Sequence, residues 1–157
     1  MPWRQELARH FGAEVVGNVA AQDPVEALMV LTHRQGVDAA VEALGAQSTF
    51  EACVTATRPG GIFAHVGDHG HGEYVTIPRM AWGLGLRDQT LRTALDPGGQ
   101  GCMQRLLRRL ERGRVDPTPL STHPFGCEDL AKAFQRMDTK EDAMITPLIT
   151  LHAAGGV

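Results

Sequence analysis

A chain of 157 residues with 43% hydrophobic residues is long enough for one domain with its own core and a small appendage. A net charge of −3 gives no general attraction to nucleic acid or to an anionic membrane, and no apolar run approaches a bilayer span. Three widely spaced cysteines, Cys53, Cys102 and Cys127, form neither a disulfide framework nor a Cys-x-x-Cys metal pair, and no signal-peptide core is visible, which together point to a reducing, cytoplasmic setting.

The chain opens in a helix. Pro2 suits its first turn, Trp3, Leu7 and Phe11 share a face, and Gly12 ends it. Glu14 to Asn18 is a weak strand candidate. Asp23, followed by Pro24 and then Glu26, has the form of a helix start, with Val25, Leu28, Met29 and Thr32 as the buried stripe. Val37 to Leu44 and Ile62 to Val66 are apolar runs bounded by glycine, and they read as strands buried on both faces. Between them, Ser48 and Glu51 have capping-box spacing and predict a helix from Thr49, with Phe50, Cys53, Val54 and Thr57 facing inward. Strand, helix and strand over about thirty residues make a βαβ unit with a right-handed crossover. In open α/β sheets ligands sit beyond the carboxyl ends of the strands, here Leu44-Gly45 and Val66-Gly67-Asp68.

Asp68 to Glu73 is a glycine-rich loop, and Ile77 to Leu86 holds a short helical turn. Gln89 to Leu95 reads as a further strand, ended by Asp96-Pro97-Gly98-Gly99. Gln100 to Arg112 is the clearest amphipathic helix, with Met103, Leu106, Leu107 and Leu110 inward and Gly113 at its end. Leu120 to Phe125 is irregular. Glu128 to Met137 is a helix with two acids in its first turn and Leu130, Ala131, Phe134 and Met137 on its apolar side. Ile145 to Leu151 is the last strand, and a loose tail follows. There are no internal repeats and no long linker.

Several residue groups invite a chemical reading. His65, Asp68, His69, His71 and Glu73 are the densest metal-capable cluster, but they lack the spacing of a strong site, and no resident metal is expected there. Arg105, Arg108, Arg109, Arg112 and Arg114 read as a solvated helix face rather than a nucleic-acid patch. Cys53 and Cys102 read as small hydrophobes, Cys127 has no evident activating partner, and His123 reads as a packing residue. Gly45 and Gly67 fit either a close approach of a ligand to the backbone or ordinary strand-end turns.

Arg4 to Ala13, Gly36 to Gly45 and Pro59-Gly60-Gly61 to Gly67 resemble the medium-chain, zinc-dependent alcohol dehydrogenases. Ile77-Pro78-Arg79 with Trp82-Gly83, Pro97-Gly98-Gly99, and Val115-Asp116 to Leu120-Ser121-Thr122-His123 resemble the secondary-alcohol branch more closely. The match runs from about Pro2 to Leu151. It implies an α/β fold, the C-terminal portion of a doubly wound, Rossmann-like parallel sheet. Residues 1–122 would form a partial dinucleotide-binding domain. Residues 123–151 would form a helix and strand returning toward a catalytic domain, with 152–157 as a tail. The resemblance also implies NAD or NADP as cofactor, a small alcohol or carbonyl substrate, a homo-oligomer, and no nucleic-acid or membrane partner.

By position, the resemblance places Ala43, Leu44 and Gly45 near the adenosine side of the cofactor. Val66, Gly67 and Asp68 match the strand end that contacts the nicotinamide, and Arg92, Thr93 and Ala94 match the next strand, which also approaches that ring. No residue of the chain takes a catalytic or metal-binding role on this reading. The family's zinc ligands, which include a cysteine and a His-Glu pair, and its glycine-rich turn would lie before Met1. No Gly-x-Gly-x-x-Gly occurs here, because Gly70 and Gly72 reach Val75, Gly83 and Gly85 reach Asp88, and Gly99 and Gly101 reach Gln104. Thr146 stands where some members carry a basic residue against the cofactor phosphates. The chain alone is therefore expected to be inactive. The alternative is a non-catalytic interaction or oligomerisation module with an exposed sheet edge and apolar face.

Overall fold

The computed structural model describes residues 2–70, 72–94, 98–139 and 143–151. By contacts the chain forms two compact units, Gly17–Pro97 and Met1–Val16 with Gly98–Val157. The boundary expected after residue 122 lies inside the second unit, within its first strand.

The Gly17–Pro97 unit is parallel α/β. Helix α2 (Pro24–Leu31) starts as its sequence dictates. Asp23 is extended, its carboxylate accepts from the amides of Val25 (2.8 Å) and Glu26 (3.3 Å), and Pro24 fills the first position. Strand β1 (Val37–Glu42), helix α3 (Gln47–Ala56), strand β2 (Thr57–His65) and strand β3 (Thr90–Thr93) follow, and the three strands pair in parallel in the order β1-β2-β3. The expected βαβ unit is present.

Helix α3 packs on β1 and β2. Phe50 and Val54 are buried against Phe63 of β2, with Cys53 and Ile77 closing the cluster. Phe50 and Phe63 meet edge to face at 4.8 Å, which adds to their area burial. Thr57 is fully buried, and its hydroxyl donates to the Cys53 carbonyl at 2.7 Å. The start of α3 corrects one expectation. The helix begins at Gln47 behind Ala46, which offers no side-chain cap, so Ser48 and Glu51 do not form a capping box. Gln47 instead ties down the distant loop, donating to the Thr76 carbonyl (2.7 Å) and accepting from the Thr76 amide (3.2 Å).

Two further expectations are corrected. Glu14 to Asn18 is not a strand, because Asn18 accepts from the Ala20 amide through its side chain and makes a turn. The strands are not buried on both faces. Val41 is 65% exposed, and Ile62 is also exposed, because α3 covers the other side, where Phe63 points. The expected helical turn within Ile77–Leu86 is a 3₁₀ turn at Gly83–Gly85.

The other unit contains α1 (Pro2–His10), α4 (Gly99–Glu111), β4 (Ser121–Gly126), α5 (Leu130–Thr139) and β5 (Thr146–Thr150). Gly12 and Gly113 lie beyond the ends of α1 and α4 at φ of 97° and 61°, as terminating glycines do. Strand β4 pairs in parallel with β5, although Leu120–Phe125 reads as irregular in sequence; the pairing survives Pro124 with a register shift between Ser121 and His123. Phe125, Ala133 and Met144 form the core here, with Ile149 against it. The inward face assigned to α4 is also corrected, and the apolar side of α5 is uncovered. Met103, Leu106, Leu107 and Leu110 are all exposed, as are Leu130, Phe134 and Met137, and Ala133 carries the buried contact of α5. Amphipathicity defines an apolar side; whether anything covers it depends on neighbours. Glu128 and Asp129 lie in a 3₁₀ turn just before α5 rather than in its first turn. Leu95–Pro97 and the tail after Leu151 lie outside the described residues. Among the described residues, no helix is long and apolar enough to cross a membrane.

Candidate functional site

The three strands of the first unit end in register. Glu42 of β1 pairs with His65 of β2, and His65 pairs with Thr93 of β3. Hydrogen bonding continues past the strand ends, with Val66 and Gly67 amides donating to the Glu42 carbonyl (2.9 and 3.2 Å) and the Ala94 amide donating to the His65 carbonyl (3.1 Å). The stretches Ala43-Leu44-Gly45, Val66-Gly67-Asp68 and Arg92-Thr93-Ala94 therefore lie side by side at the carboxyl edge of one parallel sheet. Except for Gly45 and Gly67, which are half-buried, all of these residues are exposed. Ala43 and Leu44 also line a cavity of about 390 Å³ with Val25, Leu28, Val41 and Ala52, almost wholly apolar in its walls.

Gly45 and Gly67 are glycines because the chain approaches itself there. Gly45 has φ of +84°, and a Cβ on it would stand 2.0 Å from the Asp68 carbonyl oxygen. A Cβ on Gly67 would stand 2.3 Å from the Gly45 nitrogen and 2.5 Å from Glu42 Oε2. The two loops press together at the sheet edge, and no other residue fits without displacing backbone.

Beneath these loops lies a residue that sequence reading passed over. Glu42 is 1% exposed at the end of β1. Its Oε1 accepts from the amides of Leu44 and Gly45 (both 2.9 Å) and from the Thr49 hydroxyl (2.7 Å). Burial acts to raise its pKa, but the Thr49 hydroxyl, the Gly45 and Leu44 amides and the nearby His65 outweigh it and hold the carboxyl at about 2. Glu42 is ionised and fixes the turn from β1 into α3. The available signal was weak, because Glu42 is one of two acids in an apolar run and only its burial, not that of the exposed Asp38, requires partners.

The histidine cluster is only partly assembled. His65 and His69 come together with Glu42, while the Asp68 carboxylate turns to the Gly70 amide (2.9 Å), Glu73 is exposed, and His71 lies outside the described residues. Cys53 and Cys127 are free thiols, and burial together with the Glu42 charge pushes the Cys53 thiol up, which suits an inert packing residue. Among the described residues, no cysteine joins a group of metal-capable side chains. They do not assemble the cysteine-containing zinc set that the resemblance describes. The five arginines of α4 and its end line one shallow surface cavity and are exposed. His123 is half-buried in β4.

A parallel sheet with a helical crossover and its strand ends aligned in one row defines a doubly wound, dinucleotide-binding type of fold. The chain belongs to the zinc-binding dehydrogenase family, whose model matches residues 1–111. It is 40% identical over 149 residues to an alcohol dehydrogenase of Cupriavidus necator, covering 95% of this chain and 40% of that protein. It is 37% identical over 148 residues to the NADP-dependent isopropanol dehydrogenase of Thermoanaerobacter brockii, covering 93% of this chain and 42% of that one. Among solved structures, zinc-dependent alcohol dehydrogenase 2 of Streptococcus pneumonia superposes with a TM-score of 0.81 at 26% identity, over 98% of this chain and 44% of that chain. Alcohol dehydrogenase TADH of Thermus sp. ATN1 shares the fold with a TM-score of 0.82, over 97% of this chain and 42% of its own. The chain thus spans about 40% of the length of the relatives it matches.

Proposed function

We propose that the chain supplies part of the cofactor floor of an NAD(P)-dependent alcohol dehydrogenase. Ala43, Leu44, Gly45, Val66, Gly67, Asp68, Arg92, Thr93 and Ala94 are its cofactor-facing row. The observation that supports this most is the register of the three parallel strand ends, Glu42 with His65 with Thr93. A dinucleotide lying along such an edge meets each strand end in turn. The adenosine side falls at Ala43 and Leu44, whose apolar cavity suits a flat ring. The nicotinamide side falls at Val66 to Asp68 and Arg92 to Ala94.

When bound, the cofactor accepts or donates the hydride that interconverts an alcohol and a ketone or aldehyde. The chain's own contribution is to bind and orient. Glu42 clamps the turn that carries Leu44 and Gly45, Asp68 clamps its loop through the Gly70 amide, and the glycines let the loops close together. The names of the relatives favour a small secondary alcohol and NADP. The sequence has no Gly-x-Gly-x-x-Gly turn and the described residues assemble no cysteine-containing zinc set, so the isolated chain binds cofactor weakly and does not turn it over.

The test is to mix the purified chain with isopropanol and NADP⁺ or NAD⁺, following nicotinamide absorbance for turnover and ligand-observed NMR for binding. Binding without turnover is expected. Turnover overturns the inactive reading, and absence of binding at millimolar cofactor overturns the floor.

A second reading, an interaction or oligomerisation module, is favoured by a different observation. Among the described residues, β1 pairs only with β2, and Val41 and Leu44 beside its free edge are 65% and 70% exposed. Light scattering that stays monomeric across concentration would contradict self-pairing, including the homo-oligomer that the family resemblance implies.

A further inference from the structure

We propose that Glu42, His65 and His69 form a binding site for a first-row divalent metal ion such as Zn²⁺ or Co²⁺. One donor atom from each of the three lies within 4.8 Å of the others. Glu42 Oε2, His65 Nδ1 and His69 Nε2 are all buried atoms, and each lacks a hydrogen-bond partner. Glu42 Oε2 stands 2.9 Å from His65 Nδ1 without hydrogen-bond geometry. An ion pair with a protonated His65 accounts for that contact but leaves His69 Nε2 unexplained. A single cation between the three atoms accounts for all of them.

The donor chemistry selects the ion. Two imidazoles and one carboxylate suit Zn²⁺, Co²⁺ or Ni²⁺, whereas Ca²⁺ and Mg²⁺ take oxygen ligands. Donors bound tetrahedrally at about 2.0–2.2 Å stand roughly 3.3 Å apart, so small ring rotations bring this group into range.

The surroundings are already arranged to hold the ligands. The other carboxylate oxygen of Glu42 is fixed by two amides and the Thr49 hydroxyl, which aims Oε2 at the histidines. The Phe50 ring meets both imidazoles in T-shaped contacts, at 5.7 Å from His65 and 6.0 Å from His69. The two imidazoles lie 4.8 Å apart at 35°. Glycine at position 67 leaves room beside Oε2 that a Cβ would fill at 2.5 Å. This group contains no cysteine and is separate from the zinc set that the family resemblance describes.

The experiment is a Co²⁺ titration of the full chain without nucleotide, followed by visible absorption, with histidine ring NMR signals recorded during a parallel Zn²⁺ titration. One equivalent should bind at micromolar concentration, shifting the rings of His65 and His69 and leaving that of the exposed His10 in place. His69→Ala should weaken Co²⁺ by at least the roughly 10- to 100-fold that losing even an outer partner costs. His10→Ala should bind like the parent. No Co²⁺ or Zn²⁺ binding overturns the proposal, as do unmoved His65 and His69 rings or unchanged affinity in His69→Ala. If His69→Ala does not fold, the ring signals of the unaltered chain decide alone.

Discussion

Glu42 offers the sharpest test of how the strand-end row is held. Glu42→Ala removes one carboxylate oxygen that accepts three hydrogen bonds, from Leu44 N, Gly45 N and Thr49 Oγ1. Hydrogen bonds to a charged group are worth about 1.5–3 kcal/mol each, but they are not additive, and the exposed Leu44 turn regains water when its acceptor is lost. The expected loss is therefore about 3–5 kcal/mol, the range for breaking a buried charge from its partners. Glu42→Gln keeps a carbonyl acceptor for the three donors while losing the charge and replacing the other oxygen by an amide NH2, so its loss is smaller, about 1–2 kcal/mol. Urea unfolding of the full chain by circular dichroism reads both.

The same carboxylate sets a pH window. Its folded pKa, about 2, lies below the ordinary 4.5. A depressed acid stabilises the fold fully above its unfolded value and loses that stabilisation as pH falls through the folded one. The parent chain should lose stability between about pH 4.5 and pH 2, while Glu42→Gln should lose less across that interval. Variants within about 0.5 kcal/mol of the parent, or a Glu42→Gln profile as steep as the parent's, would refute the reasoning.

Two other substitutions test the packing around the row. Gly67→Ala places a Cβ 2.3 Å from the Gly45 nitrogen and 2.5 Å from Glu42 Oε2, so it should destabilise by about 1–3 kcal/mol, read from the urea midpoint. Phe50→Ala empties the centre of the Phe50–Val54–Phe63 cluster and should cost about 3–5 kcal/mol by the same measurement, with Phe50→Leu costing distinctly less.

Much of the first unit was legible because its signals are local. Asp23 and Pro24 mark the start of α2 by side-chain chemistry alone, and the glycine-bounded runs mark β1 and the second half of β2, which begins earlier, at Thr57, and runs through Gly60 and Gly61. What escaped depends on distant partners. Gln47 looks like any polar residue until Thr76 arrives beside it. Strand β4 carries Thr-His-Pro, poor strand chemistry, and exists because β5 pairs with it from beyond α5. The apolar side of α4 is legible in its periodicity, but whether a neighbour covers it is not, and all four of its residues are exposed. At the site, the strand ends were readable from glycine punctuation, but Glu42 was hidden in an apolar run. Neither Asp68 nor Glu73 could be separated from His65 and His69 without knowing which way each side chain turns.

The most direct measurement is amide-resolved NMR of the full chain during titration with NADP⁺ and NAD⁺. Shift changes concentrated at Ala43–Gly45, Val66–Asp68 and Arg92–Ala94 are predicted. Changes confined to α4 and α5, or none at millimolar cofactor, would contradict the assignment of this sheet edge as a dinucleotide floor.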